Sequence, residues 1–195
     1  MTSLFSIVFV CVGIYLFALG LRGLLSRRPF VTSARRLMIV LLLCYLPGLV
    51  NTFGLWSGPF GASFSVMPFL LVITYAVLLF VFWRQFNGYF AFGITEESCR
   101  DALVTALNHL QLPFQETVSR FHLTSLNVDL QVAVTGWMGT AQIRMKQRAQ
   151  AVVMKQISDE MSQYFATTSV GTNQLSVIVY AILGLVMIGF GLLAR

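Results

Sequence analysis

Charge is what this sequence has least of. Only 10% of its 195 residues are charged, against about 25% in a typical soluble domain, which excludes an ordinary cytosolic globule and a disordered chain alike. Acids are scarcer still. All seven (Glu96, Glu97, Asp101, Glu116, Asp129, Asp159 and Glu160) lie between residues 96 and 160. The three cysteines, Cys11, Cys44 and Cys99, are too far apart for a zinc or dithiol motif or a disulfide framework. Nucleophile-elbow, phosphate-loop and dinucleotide glycine patterns are also missing. The paired carboxylates Glu96-Glu97 and Asp159-Glu160 are sequence neighbours, which point about 100° apart on a helix and do not converge on a substrate. No catalytic residue, metal ligand or cofactor is expected.

What is present is apolar sequence in long runs. A helix needs about 20 apolar residues to cross the hydrocarbon core. Residues 4–21 are uncharged, and residues 37–83 carry no charge at all. The second stretch is broken by Ser57-Gly58-Pro59-Phe60-Gly61-Ala62-Ser63, a cluster of turn formers. Spans are therefore predicted at 4–21, 37–56, 64–83 and 175–193. No basic residue precedes the first, as a cleaved signal would require. The expected fold is a membrane protein of four transmembrane α-helices, with a small cytoplasmic α+β domain inserted between helices 3 and 4. Its segments are 1–83 (three spans), 84–174 (the domain) and 175–195 (the fourth span).

Arg22, Arg27, Arg28, Arg35 and Arg36 follow the first apolar run with no acid among them. Basic loops stay cytoplasmic, which predicts both termini outside, residues 84–174 inside, and a bacterial inner membrane. The same arginines form a basic surface toward anionic lipid, at roughly 1 kcal/mol per residue. Residues 84–174 hold seven basic and seven acidic side chains, so no nucleic-acid partner is expected.

Within that segment, residues 88–94 read as an aromatic strand and Thr95 as the N-cap of a helix ending before Pro113. A second strand spans about 114–123. Leu126, Val128, Leu130, Val132 and Val134 alternate with polar residues, and Ala141, Ile143 and Met145 alternate on the return from a Gly136–Gly139 turn. These predict a hairpin. An amphipathic helix over 149–167 buries Val153, Ile157, Met161 and Phe165. The order β-α-β-β-β-α predicts a two-layer domain, its first helix joining a parallel strand pair.

Four groups of residues are candidates for function. Trp137 and Met138 occupy a turn where small polar residues are usual, which points to a protein partner or the lipid interface. Pro47, Asn51 and Pro68 are polar or kinking positions within apolar runs, read as a packed, kinked hairpin in preference to a broken-helix binding site. Gly13 with Gly20, and Gly184 with Gly191, lie seven apart and set one stripe for close helix packing or self-association. His122, with the arginine segment, is the only raw material for a lipid-active enzyme. The lipid bilayer and a protein partner, or a second copy of the chain, are the expected associates. The function these features predict is a non-catalytic membrane accessory, assembly or adaptor subunit. A homo-oligomeric channel is the alternative.

Overall fold

The computed structural model describes residues 2–56, 67–85, 88–117, 120–145 and 151–193. They form α1 (Thr2–Ser26), β1 (Phe30–Ser33), α2 (Ala34–Trp56), α3 (Met67–Gln85), β2 (Tyr89–Phe92), α4 (Glu96–His109), β3 (Phe114–Thr117), β4 (Arg120–Leu123), β5 (Val128–Thr135), β6 (Thr140–Met145), α5 (Ala151–Thr167) and α6 (Leu175–Leu193). Two compact units emerge, one of residues 1–17, 35–86 and 182–195, the other of residues 18–34 and 87–181.

The expectation of four transmembrane helices with a small inserted domain is overturned. Among the described residues two helices are long and apolar enough to cross a membrane, Phe5–Ser26 and Leu175–Leu193. In α3 the apolar stretch is Phe69–Trp83, about 22 Å at 1.5 Å per residue, short of a core of about 30 Å. The first turn of α2 carries Arg35 and Arg36, and Pro47 lies inside it, where a missing N–H breaks the hydrogen-bond ladder. The Ser57–Ser63 turn lies outside the described residues.

In the first unit, α1 and α6 run antiparallel in close contact. A methyl group at Gly184 would lie 2.4 Å from the Phe17 nitrogen, and one at Gly13 would lie 2.9 Å from the Gly184 carbonyl. Among the described residues α3 exposes Phe69, Leu70, Leu71, Val72, Ile73, Val77, Phe80 and Trp83, so its apolar surface is not confined to one face.

The second unit is built on one six-stranded sheet in the order β1-β2-β6-β5-β4-β3, every pair antiparallel. This corrects the expected β-α-β-β-β-α order in three ways. Residues 30–33, within the basic segment, form an edge strand. The stretch 114–123 is two strands folded on each other, with residues 118–119 between them outside the described residues. Among the described residues no parallel pair forms, because β2 and β3, which α4 connects, are separated by β6, β5 and β4.

One face of the sheet builds the core. Ala91, Phe121, Leu123, Leu130, Ala141 and Ile143 meet Leu103, Ala106 and Leu107 of α4 and Ile157, Met161 and Phe165 of α5. Burying each large side chain contributes about 1.5–3 kcal/mol. The expected α5 face shifts slightly: Met154 is buried and Val153 half-buried. Thr95 caps α4, its Oγ1 accepting from Ser98 N–H at 3.2 Å while its own N–H donates to Ser98 Oγ at 2.9 Å. This reciprocal pair satisfies two otherwise orphaned donors.

Candidate functional site: a fixed hairpin tip and the polar face of the sheet

The β5–β6 hairpin closes through Gly136-Trp137-Met138-Gly139, with Met138 N–H and Gly139 N–H both donating to the Thr135 carbonyl. A four-residue turn is ordinarily mobile, but this one is held from outside. Asn173 Nδ2 donates to the carbonyls of Gly136 at 2.8 Å and Trp137 at 3.2 Å. Ser176 N–H donates to Met138 C=O, and Ile94 N–H to Gly139 C=O, both at 3.1 Å. Gly139 has φ +67°, and a side chain there would meet the Asn173 carbonyl at 2.4 Å. Every carbonyl of the turn is thus anchored, while the Trp137 side chain remains 71% exposed and Met138 is half-buried. Asn173 Oδ1 also accepts from Leu175 N–H at 3.1 Å, so one side chain both starts α6 and holds the tip.

The face opposite the core changes character along the sheet. At the β1–β2 end it is aromatic. Phe30 stacks on Phe92 at 5.4 Å between centroids, and Phe92 meets the Tyr180 ring edge-on at 5.3 Å. The Arg22 guanidinium sits 5.9 Å over Phe30, and a methyl at Gly23 would touch both Val177 and Phe30. The end of α1 and the start of α6 therefore cover this part of the face. Beyond it the face is polar, carrying Gln142 and Arg144 of β6, Asp129 and Gln131 of β5, and Arg120 and His122 of β4. His122 Nδ1 lies 2.8 Å from Asp129 Oδ1, directly across the strand pair.

The five arginines do not form one loop. Arg22 is in α1, Arg27 and Arg28 are in the connection to β1, and Arg35 and Arg36 are in the first turn of α2. An Arg28 guanidinium nitrogen donates to the Ala166 carbonyl, one of the unpaired carbonyls at the C-terminal end of α5, where positive charge is favoured. Arg35 lies 5.8 Å over the Trp83 ring. Pro47 is buried within α2, whereas the side chains of Asn51 and Pro68 lie outside the described residues. Gly20 packs on Ala181, and Gly191 on Ser6 and Val10, so each glycine of the two pairs faces the opposite helix.

Among the described residues no three His, Cys, Asp or Glu side chains converge. His109 Nδ1 is 3.2 Å from Glu160 Oε2, which links α4 to α5. Cys99 is buried in the core, and burial pushes its thiol up to about 12, so the nucleophilic thiolate is disfavoured. The residues that sequence reading missed are Asn173, Arg120 and Arg144. Asn173 stands two residues before a long apolar helix, where Asn is a usual capping residue. Placing the arginines requires the cross-strand register, which the hairpin alone supplies for Arg144. The chain matches no family model, no curated protein and no solved structure.

Proposed function

We propose that this chain is a non-catalytic, membrane-embedded accessory or adaptor subunit. In this reading α1 and α6 cross a bacterial inner membrane with both chain ends outside, and the sheet-and-helix unit works in the cytoplasm, docking on a protein partner through the hairpin tip. The observation that carries the reading is Trp137, a large aromatic side chain exposed on a backbone already fixed by Asn173, Ser176 and Ile94. Aromatic anchors of this kind dominate binding energy at interfaces, and a fixed backbone removes most of the ordering cost of association. The arginines around the end of α1 supply the positive-inside bias.

The test is affinity purification of the full chain from native membranes in mild detergent, followed by identification of co-purifying proteins. A foreign subunit should be recovered in fixed stoichiometry with the native chain. Trp137→Ala should reduce its recovery at least tenfold, on the order of 1.4 kcal/mol, with unchanged membrane content of the chain. Equal recovery with Trp137→Ala would remove the tip from the interface. Recovery of nothing but further copies of the chain would replace the adaptor with a homo-oligomer.

A further inference from the structure

The tip of the β5–β6 hairpin is tied to the first turn of an apolar helix, and the tie sets the depth at which Trp137 works. Ser176 N–H donates to the Met138 carbonyl at 3.1 Å, and Asn173, which caps α6, donates to the carbonyls of Gly136 and Trp137. All of these residues belong to the sheet-and-helix unit, so the contact is internal to it. Helix α6 carries no charge, and Leu175, Ile178 and Val179 in its first turns are all exposed. Its 19 residues rise about 28 Å at roughly 1.5 Å per residue, against a hydrocarbon core of about 30 Å. As a membrane span it has no length to spare, and tilting shortens its reach further. Leu175 then stands at the core boundary in any orientation, and the hairpin tip stands in the headgroup layer beside it.

Three features of the tip suit that layer better than open water. Its backbone is satisfied from within: the carbonyls of Gly136, Trp137, Met138 and Gly139 each accept from a protein donor. In water the solvent would supply those bonds, whereas at a membrane boundary a carbonyl without a partner is costly. Charge is also missing. The chain has no charged residue between Asp129 and Arg144, or between Glu160 and Arg195, so neither segment carries an ion toward the lipid, where it would be expensive. Finally, the side chain presented there is Trp137, 71% exposed. Its large ring with one polar N–H is of the kind enriched at membrane–water interfaces.

We propose that Trp137 lies in the lipid headgroup layer at the start of α6, so that the partner it docks is a membrane-embedded protein. The proposal rests on α6 as a membrane span, and it deepens the adaptor reading by restricting the class of partner. A ring held in that layer is screened from proteins free in the cytoplasm. A partner spanning the same membrane meets it by lateral diffusion.

The experiment places the full chain, with Trp56→Phe and Trp83→Phe, in phosphatidylcholine vesicles and reads the fluorescence of Trp137. The lipid is brominated either at the headgroup end of its acyl chains or at their methyl end, and bromine quenches tryptophan at its own depth. In a second chain Trp137→Phe is added and Leu185→Trp, an exposed position midway along α6, reports the depth of the helix. Trp137 should be quenched at least two-fold more by bromine at the headgroup end, and Leu185→Trp at least two-fold more by bromine at the methyl end. Any partner recovered through the tip should carry membrane spans of its own. Quenching of Leu185→Trp alone, with Trp137 open to aqueous acrylamide, would overturn the proposal and leave α6 as a span. Quenching of neither would overturn the membrane reading and the proposal with it. A water-soluble protein recovered with the native chain and lost with Trp137→Ala would keep the docking role and overturn the headgroup location.

Discussion

The side-chain amide of Asn173 donates to the backbone carbonyls of both Gly136 and Trp137, at 2.8 and 3.2 Å, across a sequence separation of 37 and 36 residues. A single polar side chain thereby joins the tip of one hairpin to the start of an apolar helix.

Asn173→Ala removes both of those bonds and the one from Leu175 N–H. The expected cost is about 1–2 kcal/mol, from the lost cap and the two lost hydrogen bonds to the turn. Thermal unfolding measures it, and the fluorescence anisotropy of Trp137, in a variant with Trp56 and Trp83 changed to Phe, should fall as the tip loosens. A stability within 0.3 kcal/mol of native, on the order of a surface substitution, would show that Ser176 and Ile94 hold the turn unaided.

The close approach of α1 and α6 makes a second site sensitive to size. A methyl at Gly20 would lie 2.5 Å from the Ala181 nitrogen, against backbone and not a yielding side-chain end. Gly20→Leu should therefore force the two helices apart at a cost of about 1–3 kcal/mol, although leucine is the better helix former. Limited proteolysis of the detergent-solubilised chain should show faster cleavage near residues 168–174. A cleavage rate equal to native would contradict the tight contact.

Titration sets the pH window of the sheet unit. At the acid end, the hydrogen bonds from Arg100 hold the Glu116 carboxyl below its ordinary range. The stability this pair contributes is present above the unfolded carboxylate pKa and is lost as pH falls through the folded value. At the alkaline end the sign reverses. Burial keeps the Cys99 thiol protonated to about 12, while the unfolded thiol ionises near 8.5, so unfolding releases a proton and stability declines as pH rises between those values. Iodoacetamide at pH 9 should therefore leave Cys99 unmodified in the folded chain and label it on denaturation. Labelling of Cys99 in the native chain at the rate seen in the denatured chain would contradict the burial.

Much of the sheet unit is legible in the sequence because its signals are local. The alternation from Val128 to Met145 fixes β5, β6 and the turn between them, and Thr95 marks the start of α4. Leu126 and Asn127 fall just outside the strand, in a turn where Asn127 takes φ +51°, a conformation asparagine tolerates better than most residues. β1 escapes notice for a physical reason. Four residues, Phe30-Val31-Thr32-Ser33, show too little alternation to announce a strand, and their partners in β2 lie at residues 89–92. The polar face is hidden in the same way: Arg120, Gln131 and Arg144 become neighbours only once 114–123 is folded in two. The apolar runs are plain in the sequence, but the helix limits within them are not: α2 opens on Arg35 and Arg36 and holds Pro47, and the apolar part of α3 is only Phe69–Trp83.

The pairing of β1 with β2 has a topological consequence. Ser33 stands opposite Tyr89, and Ala34 N–H donates to the Gly88 carbonyl at 3.1 Å, so residues 34–88 leave the sheet and return to it at a single neck. Whatever the excursion between them does, it is an insertion at the bend of a β-hairpin, and the ladder rather than the insertion fixes the strand register. Such a segment can lengthen, diverge or be replaced by a two-residue turn without disturbing the order of any strand, which makes it the place where this architecture tolerates insertion and loss while keeping its sheet.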